Sequence, residues 1–130
     1  MSSAGITTVN PAQLGPAIAP YSQAVLANGF VYVAGQVALD PDNNVVAPND
    51  IREQTRYAIG RIRTILQECG SSLEHVVSAT VFISNLDDFK GFNEAWAAEF
   101  GRHRPARATV VAGLLLPGLV VEIQPIAVVA

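Results

Sequence analysis

A chain of 130 residues is enough for one domain with a real core and too short for two ordinary ones. Half of it is hydrophobic and only 15% is charged, so part of the surplus apolar surface of so small a domain is expected to be buried against another copy, in a homo-oligomer. Eight basic against eleven acidic side chains, a net charge of −3, offer no basic footprint for phosphates and count against a nucleic-acid partner. The only cysteine is Cys69, which leaves no internal disulfide and no thiol-rich metal site. The most apolar stretch, 110–121, is interrupted by Pro117 and falls well short of the roughly 20 apolar residues of a membrane helix. Residues 1–5 lack the basic and apolar regions of a signal peptide, and a cytoplasmic location is the expectation.

In chain order, 7–9 reads as a short edge strand, ended by Asn10-Pro11 and followed by a loop rich in Pro and Gly up to Pro20. Residues 22–27 and 30–34 flank Asn28-Gly29, the strongest short-range hairpin signal, and Phe30-Val31-Tyr32-Val33 is aromatic and β-branched throughout. Residues 40–44 form a turn by composition. A helix is predicted from Asn49 or Asp50 to Gly70. Its apolar face is Ile51, Thr55, Ala58, Ile62, Ile65, Leu66 and Cys69, recurring at three and four. Glu53 lies three residues after Asp50, as a capping box would place it, and Gly70 suits the left-handed position past the end. Cys69 reads as a small core residue, and Arg52, Arg56, Arg61 and Arg63 as the solvated face. Residues 76–83 form a strand. Asp87 or Asp88 caps a second helix reaching Phe100, with Phe89, Phe92, Trp96 and Phe100 as its apolar stripe. Two further strands, 106–112 and 119–128, are joined across Leu116-Pro117-Gly118. That order is an α+β domain, a single one over 1–130, with two helices on one face of a mostly antiparallel sheet.

No nucleophile elbow, phosphate loop or zinc-type spacing occurs. His75 and His103 fall in a turn and a loop, without partners at metal-ligand spacing, and read as solvated surface residues. Arg107 and Glu122 differ because they stand in strand sequence. Alternation puts Arg107, Thr109 and Val111 on one face of their strand, and Val120, Glu122 and Gln124 on one face of theirs. Two interpretations stand side by side. One is ordinary polar-out alternation on an antiparallel sheet. The other is a shared pocket, with a guanidinium fork for a carboxylate ligand and a carboxylate to position or deprotonate a water. Tyr21 reads as a half-buried aromatic at a strand start, Gly35 as a bulge or strand end, and Asn93 as an exposed helix residue.

Several segments, taken together, resemble the RidA (YjgF-type) family of reactive-intermediate deaminases. They are Ile18-Ala19-Pro20-Tyr21-Ser22-Gln23-Ala24, Val31-Tyr32-Val33-Ala34-Gly35-Gln36 and Asp50-Ile51-Arg52-Glu53-Gln54-Thr55. Thr80-Val81-Phe82-Ile83, Asp88-Phe89 with Phe92-Asn93, Pro105-Ala106-Arg107-Ala108-Thr109-Val110 and Val120-Val121-Glu122-Ile123 follow in the family's order. The resemblance implies a chorismate-mutase-like α+β fold, assembled as a homotrimer with clefts between subunits. It also implies hydrolysis of 2-imino or 2-enamino acids, such as 2-iminopropanoate and 2-iminobutanoate, to 2-keto acids and ammonia. By the same likeness Arg107 is the arginine that binds the substrate carboxylate, Glu122 the glutamate that orients water, and Tyr21 the tyrosine lining the cleft. Gly35 and Asn93 match residues near the site, and Thr109 stands where many members have cysteine or serine. No metal or cofactor is implied, because an imine carbon is already electrophilic and positioning with acid–base help is sufficient. Ala19 replaces the usual glycine of the tyrosine motif and Ala34 a common serine, which alters pocket polarity and volume. The alternatives are a pathway-specific enamine deaminase of the aminoacrylate or aminomuconate type, and a non-enzymatic, ribonuclease or chaperone-like cleft protein.

Overall fold

The structure is a computed structural model that describes residues 2–3 and 5–130; Met1 and Ala4, in the opening segment read above for a leader, lie outside the described residues. Its strands are β1 (Ser2–Ser3), β2 (Ile6–Val9), β3 (Ala24–Ala27), β4 (Phe30–Val33), β5 (Val76–Ile83), β6 (Ala106–Val111) and β7 (Val121–Val128). They form one sheet in the order β1-β2-β3-β4-β7-β5-β6, antiparallel except for the β5–β6 pair. The helices are α1 (Ile51–Glu68) and α2 (Phe89–Phe100). The predicted α+β arrangement of two helices on a mostly antiparallel sheet is the one observed.

Local chemistry explains the elements that were legible. Asn28 and Gly29 turn the β3–β4 hairpin with φ of 55° and 81°, both positive, as a two-residue type I′ turn requires. Asp50 caps α1 by accepting the Glu53 N–H at 3.1 Å, whereas the Glu53 carboxylate turns to Arg56 and leaves the box half formed. Gly70, at φ 74°, takes the left-handed position after the helix.

Long-range pairing and local turns add to the sequence reading or correct it in several places. Segment 7–9 is not at the sheet edge, because β1 pairs outside it. The strands on either side of Leu116-Pro117-Gly118 do not pair with each other. β5 lies between them, since the β5–α2–β6 crossover sets β6 parallel beside β5. Asp88 takes the predicted N-cap position of α2 but not the capping hydrogen bond. A 3-10 turn, Leu86–Asp88, precedes the helix, Asn85 Oδ1 accepts the Asp87 N–H at 2.9 Å, and Asp88 makes no side-chain cap. Phe89 drops out of the stripe at 42% exposed, while Phe92, Trp96 and Phe100 are buried.

One face of the sheet carries the core. Val31, Val33, Ala79, Val81, Ile83, Val121, Ile123 and Ala127 meet Ala58, Ile59, Ile62, Ile65 and Leu66 of α1, with Phe92 and Trp96 of α2 packed beside them. Each fully buried Ile, Leu or Phe of this set contributes roughly 1.5–3 kcal/mol. The buried face of α1 is wider than the predicted stripe, for it includes Gln54 and Arg61. Gln54 bridges three backbone groups, donating to the Ala47 and Gly118 carbonyls and accepting from the Val120 N–H. Arg61 is 9% exposed and so leaves the solvated set assigned from its charge. Both histidines are half-buried and bonded, also against expectation. His75 Nδ1 lies 2.7 Å from Ser72 Oγ, and His103 Nε2 donates to the Val76 carbonyl at 2.7 Å. Among the described residues no helix is long and apolar enough to cross a membrane.

Candidate active site

Strand register decides where Arg107 and Glu122 point. Arg107 pairs with Ala79 of β5, whose side chain is in the core, so Arg107, Thr109 and Val111 stand on the helix-covered side of β6. Glu122 pairs with Phe82 and alternates with the core residues Val121 and Ile123, so it stands on the opposite side of the sheet. Within one chain the two do not share a pocket. Polar-out alternation describes Glu122, and Arg107 departs from it because α2 covers its strand.

Arg107 is half-buried against α2. Its guanidinium carbon lies 5.0 Å from the Phe92 ring centre and 5.1 Å from that of Trp96, a cation–π seat on two aromatics. One of its donors goes to Asn93 Oδ1 at 2.7 Å, which orients the fork. Burial lowers the proton affinity of the guanidinium, although arginine stays charged across the working range. The cavity beside it, about 430 Å³, is lined by Asn93, Trp96, Ala97, Arg104, Pro105 and Arg107.

Glu122 faces a second cavity of about 310 Å³. Tyr21, Ala34, Gly35 and Gln124 line it with Glu122, and its remaining walls are apolar side chains that include Ile18, Val37 and Leu119. Among the described residues no protein donor reaches the Glu122 carboxylate, and desolvation raises its pKa above the ordinary glutamate value. Gly35 leaves the carboxylate its present place. A Cβ built there would stand 2.1 Å from Glu122 Oε2 and 2.8 Å from its Cδ. The segment is held there by Gln36, which exchanges backbone hydrogen bonds with Ile123 at 2.8 and 3.0 Å.

The residues singled out from sequence therefore fall into two groups. Tyr21, Gly35 and Glu122 meet at one cavity, while Arg107 and Asn93 meet at the other, with Thr109 two residues along the same face of β6. The sequence reading missed a buried polar group behind the first cavity, Gln23, Gln36 and Arg61. Its one available signal was spacing, since Arg61 follows Ala58 by three and precedes Ile65 by four, on the apolar stripe.

Comparison with known proteins agrees with this architecture. The family model described as Endoribonuclease L-PSP matches residues 12–129. A RutC family protein of Pyrococcus abyssi is 41% identical over 110 residues, 85% of this chain and 87% of that protein. The mitochondrial protein MMF1 of Saccharomyces cerevisiae is 39% identical over 127 residues, 95% and 87% of the two chains. Among solved structures, yeast Mmf1 superposes with a TM-score of 0.89 at 38% identity, covering 96% of this chain and 99% of that one. The YjgF gene product of E. coli gives 0.85 at 30% identity, with 94% and 98% covered. E. coli TdcF, solved with bound serine, gives 0.84 at 30% identity, with 95% and 100% covered. With a two-helix, mostly antiparallel fold and a family match over nearly its whole length, the chain belongs to the Endoribonuclease L-PSP family, that of the YjgF and RidA proteins.

Proposed function

We propose that this protein hydrolyses reactive 2-imino and 2-enamino acids to 2-keto acids and ammonia, without metal or cofactor. The observation that carries this is Glu122, a carboxylate without a protein partner among the described residues, beside Tyr21, its proton affinity raised by burial. A desolvated carboxylate that faces a cavity suits a general base. Arg107, oriented by Asn93 and seated on two aromatic rings, supplies the complementary fork for a substrate carboxylate. Thr109 and Gly35 complete the substrate contacts. The serine held by E. coli TdcF is a small α-amino acid, which fits a site for a carboxylate next to a nitrogen-bearing carbon.

In this scheme Glu122 takes a proton from water as the oxygen bonds to C2 of the iminium, giving a carbinolamine. The proton passes from Glu122 to nitrogen, and as the C–N bond breaks and ammonia leaves, Glu122 takes the hydroxyl proton, so that a 2-keto acid remains. The water supplies the keto oxygen, and no electrons change hands overall.

Because Arg107 and Glu122 stand on opposite sides of one sheet, the reaction needs a cleft built by two copies. We assign a homotrimer with clefts between its subunits. The exposed Ile18, Tyr21, Tyr32, Val110, Val111 and Leu115 supply apolar surface for that assembly. The proposal includes a cytoplasmic location, although the yeast relative is designated mitochondrial. One observation favours a second substrate class: Arg104 lines the Arg107 cavity, and two guanidiniums suit a dicarboxylic enamine of the aminomuconate type. A ribonuclease role, named in the family's description, has less support in a chain of net charge −3.

The test couples a serine or threonine dehydratase to keto-acid release, with wild type and Arg107→Ala, on protein whose assembly is fixed by light scattering. Wild type is expected to accelerate release. Arg107→Ala is expected to lose about 100-fold in kcat/KM, the worth of a charge-assisted bidentate contact, while keeping its oligomeric state. Equal rates for the two proteins would remove Arg107 from the site, and no acceleration by wild type would remove the reaction.

A further inference from the structure

Behind the Glu122 cavity lies a buried charge that this chemistry leaves unused. Arg61 is 9% exposed, on the same helix as the exposed Arg52 and Arg56. Its Nε donates to Gln36 Oε1 at 3.0 Å and its Nη1 to the Leu39 carbonyl at 2.8 Å. A guanidinium only donates, so the Gln36 amide must turn its oxygen toward α1. The amide nitrogen is then directed the other way, and it donates to Gln23 Oε1 at 2.8 Å and to the Ala34 carbonyl at 3.0 Å. Gln23 and Gln36 are 3% and 2% exposed, so solvent does not substitute for these partners.

The chain of bonds ends on the site. Gln23 lies two residues after Tyr21, and its carbonyl accepts the Ala34 N–H at 2.8 Å. Gln36 is locked to Ile123, the residue after Glu122, by two backbone hydrogen bonds. Gly35 lies between the held Ala34 carbonyl and the held Gln36 backbone, and its Cα faces the Glu122 carboxylate. The narrow space beside Arg61 is walled by Ile18, Tyr21, Gly35 and Val37, which also line the Glu122 cavity.

We propose that Arg61 is a positioning residue: by setting the direction of the Gln36 amide, it holds the Tyr21 and Gly35 segments in register with Glu122. It touches no reacting atom, and its effect on turnover rests on the deaminase proposal above. Without its donors the Gln36 oxygen is buried unpaired or the amide reverses, and a reversed amide sets its oxygen against the Ala34 carbonyl. Either result releases Gly35 from its place beside the carboxylate. A purely structural Arg61 would instead change stability and leave the site as it is.

The experiment uses the full chain as wild type, Arg61→Met, Arg61→Lys and Ile59→Val. The last thins the core of the same helix without touching the chain of bonds. Two readouts are taken: kcat and KM on an enzymatically generated imino acid, and pH titration of the 13C-labelled Glu122 carboxyl by NMR, which needs no activity. Tyr21 is the other titratable group lining that cavity. Arg61→Met is expected to lose about tenfold in kcat with KM within twofold, since misplacement of a catalytic group falls on turnover and Arg107 still binds the carboxylate. Its Glu122 resonance and titration midpoint are expected to move. Arg61→Lys keeps the charge but not the fork, falls between the two, and carries the test if the methionine variant does not fold. Ile59→Val is expected to match wild type in both readouts whatever its melting temperature. A folded Arg61→Met with wild-type kcat and wild-type Glu122 titration overturns the proposal, as does the same kcat loss in Ile59→Val. A wild type that hydrolyses no imine defeats the deaminase proposal alone. The Glu122 titration then still decides the Arg61–Glu122 connection, sustained by a shift in Arg61→Met and refuted by none.

Discussion

Gly35→Ala probes the tightest approach in the site. The new Cβ would stand 2.1 Å from Glu122 Oε2, 2.8 Å from Cδ and 3.0 Å from Cγ. Optimal non-bonded separations are roughly 3.5 Å, so the carboxylate oxygen has to retreat by about 1 Å or more. It can do so, because the colliding atoms are the far end of a half-buried side chain facing a cavity of about 310 Å³. Gly35 does not carry a positive φ, so alanine is not strained by the backbone there. Stability should therefore change little. A displacement of about 1 Å costs on the order of 100-fold in rate, about 2.7 kcal/mol of barrier. The dehydratase-coupled assay should show kcat falling by that factor, with the thermal midpoint nearly unchanged. Glu122→Asp in the same chain withdraws the carboxylate by one methylene, relieves the collision, and should make the double variant less impaired than the two single losses combined. A folded Gly35→Ala with wild-type kcat would refute the placement of Glu122 at the reacting centre.

Glu122 also makes stability depend on pH, with a definite sign. Burial raises its folded-state pKa, so the native protein holds this proton more tightly than the unfolded chain, and stability falls as pH rises from the ordinary glutamate value of about 4.3 through the raised one. Glu122→Gln should lose that component, so urea midpoints of the two proteins should diverge in favour of the variant across this window; parallel curves would contradict the shift. Thr55 buries its hydroxyl in α1 without a hydrogen-bond partner among the described residues. Thr55→Val removes that desolvated group and should stabilise the fold by about 1 kcal/mol, read as a higher urea midpoint. A lower midpoint would mean that the hydroxyl is bonded in solution.

Much of the site and of the fold could be read in advance where the determining physics is local. Asn28-Gly29 specifies its own turn through two positive φ values, and Asp50 caps α1 through a side chain three residues from its partner. Arg107 and Glu122 stood out because charges interrupt strand sequence, and Tyr21 and Gly35 through the motifs in which they stand. Arg61 was misassigned because charge ordinarily means exposure, and only the Gln36 and Leu39 acceptors, 25 and 22 residues away, make its burial affordable. Asp88 stands at the N-cap of α2 without a side-chain hydrogen bond for a local reason, a 3-10 turn capped by Asn85 that runs directly into the helix.

By itself the sequence determined the identity and length of the main elements, the apolar stripe of α1, and which residues share a face of any one strand. These follow from periods of 3.6 and 2 and from turn and cap chemistry acting over a few residues. Which face of each strand is covered was decided only by tertiary structure. The placement of β5 between β6 and β7, and of α2 over β6, puts Arg107 and Glu122 on opposite sides of one sheet. Alternation is a relative rule within a strand, and its absolute sense is set when partners far along the chain compete for the same edge.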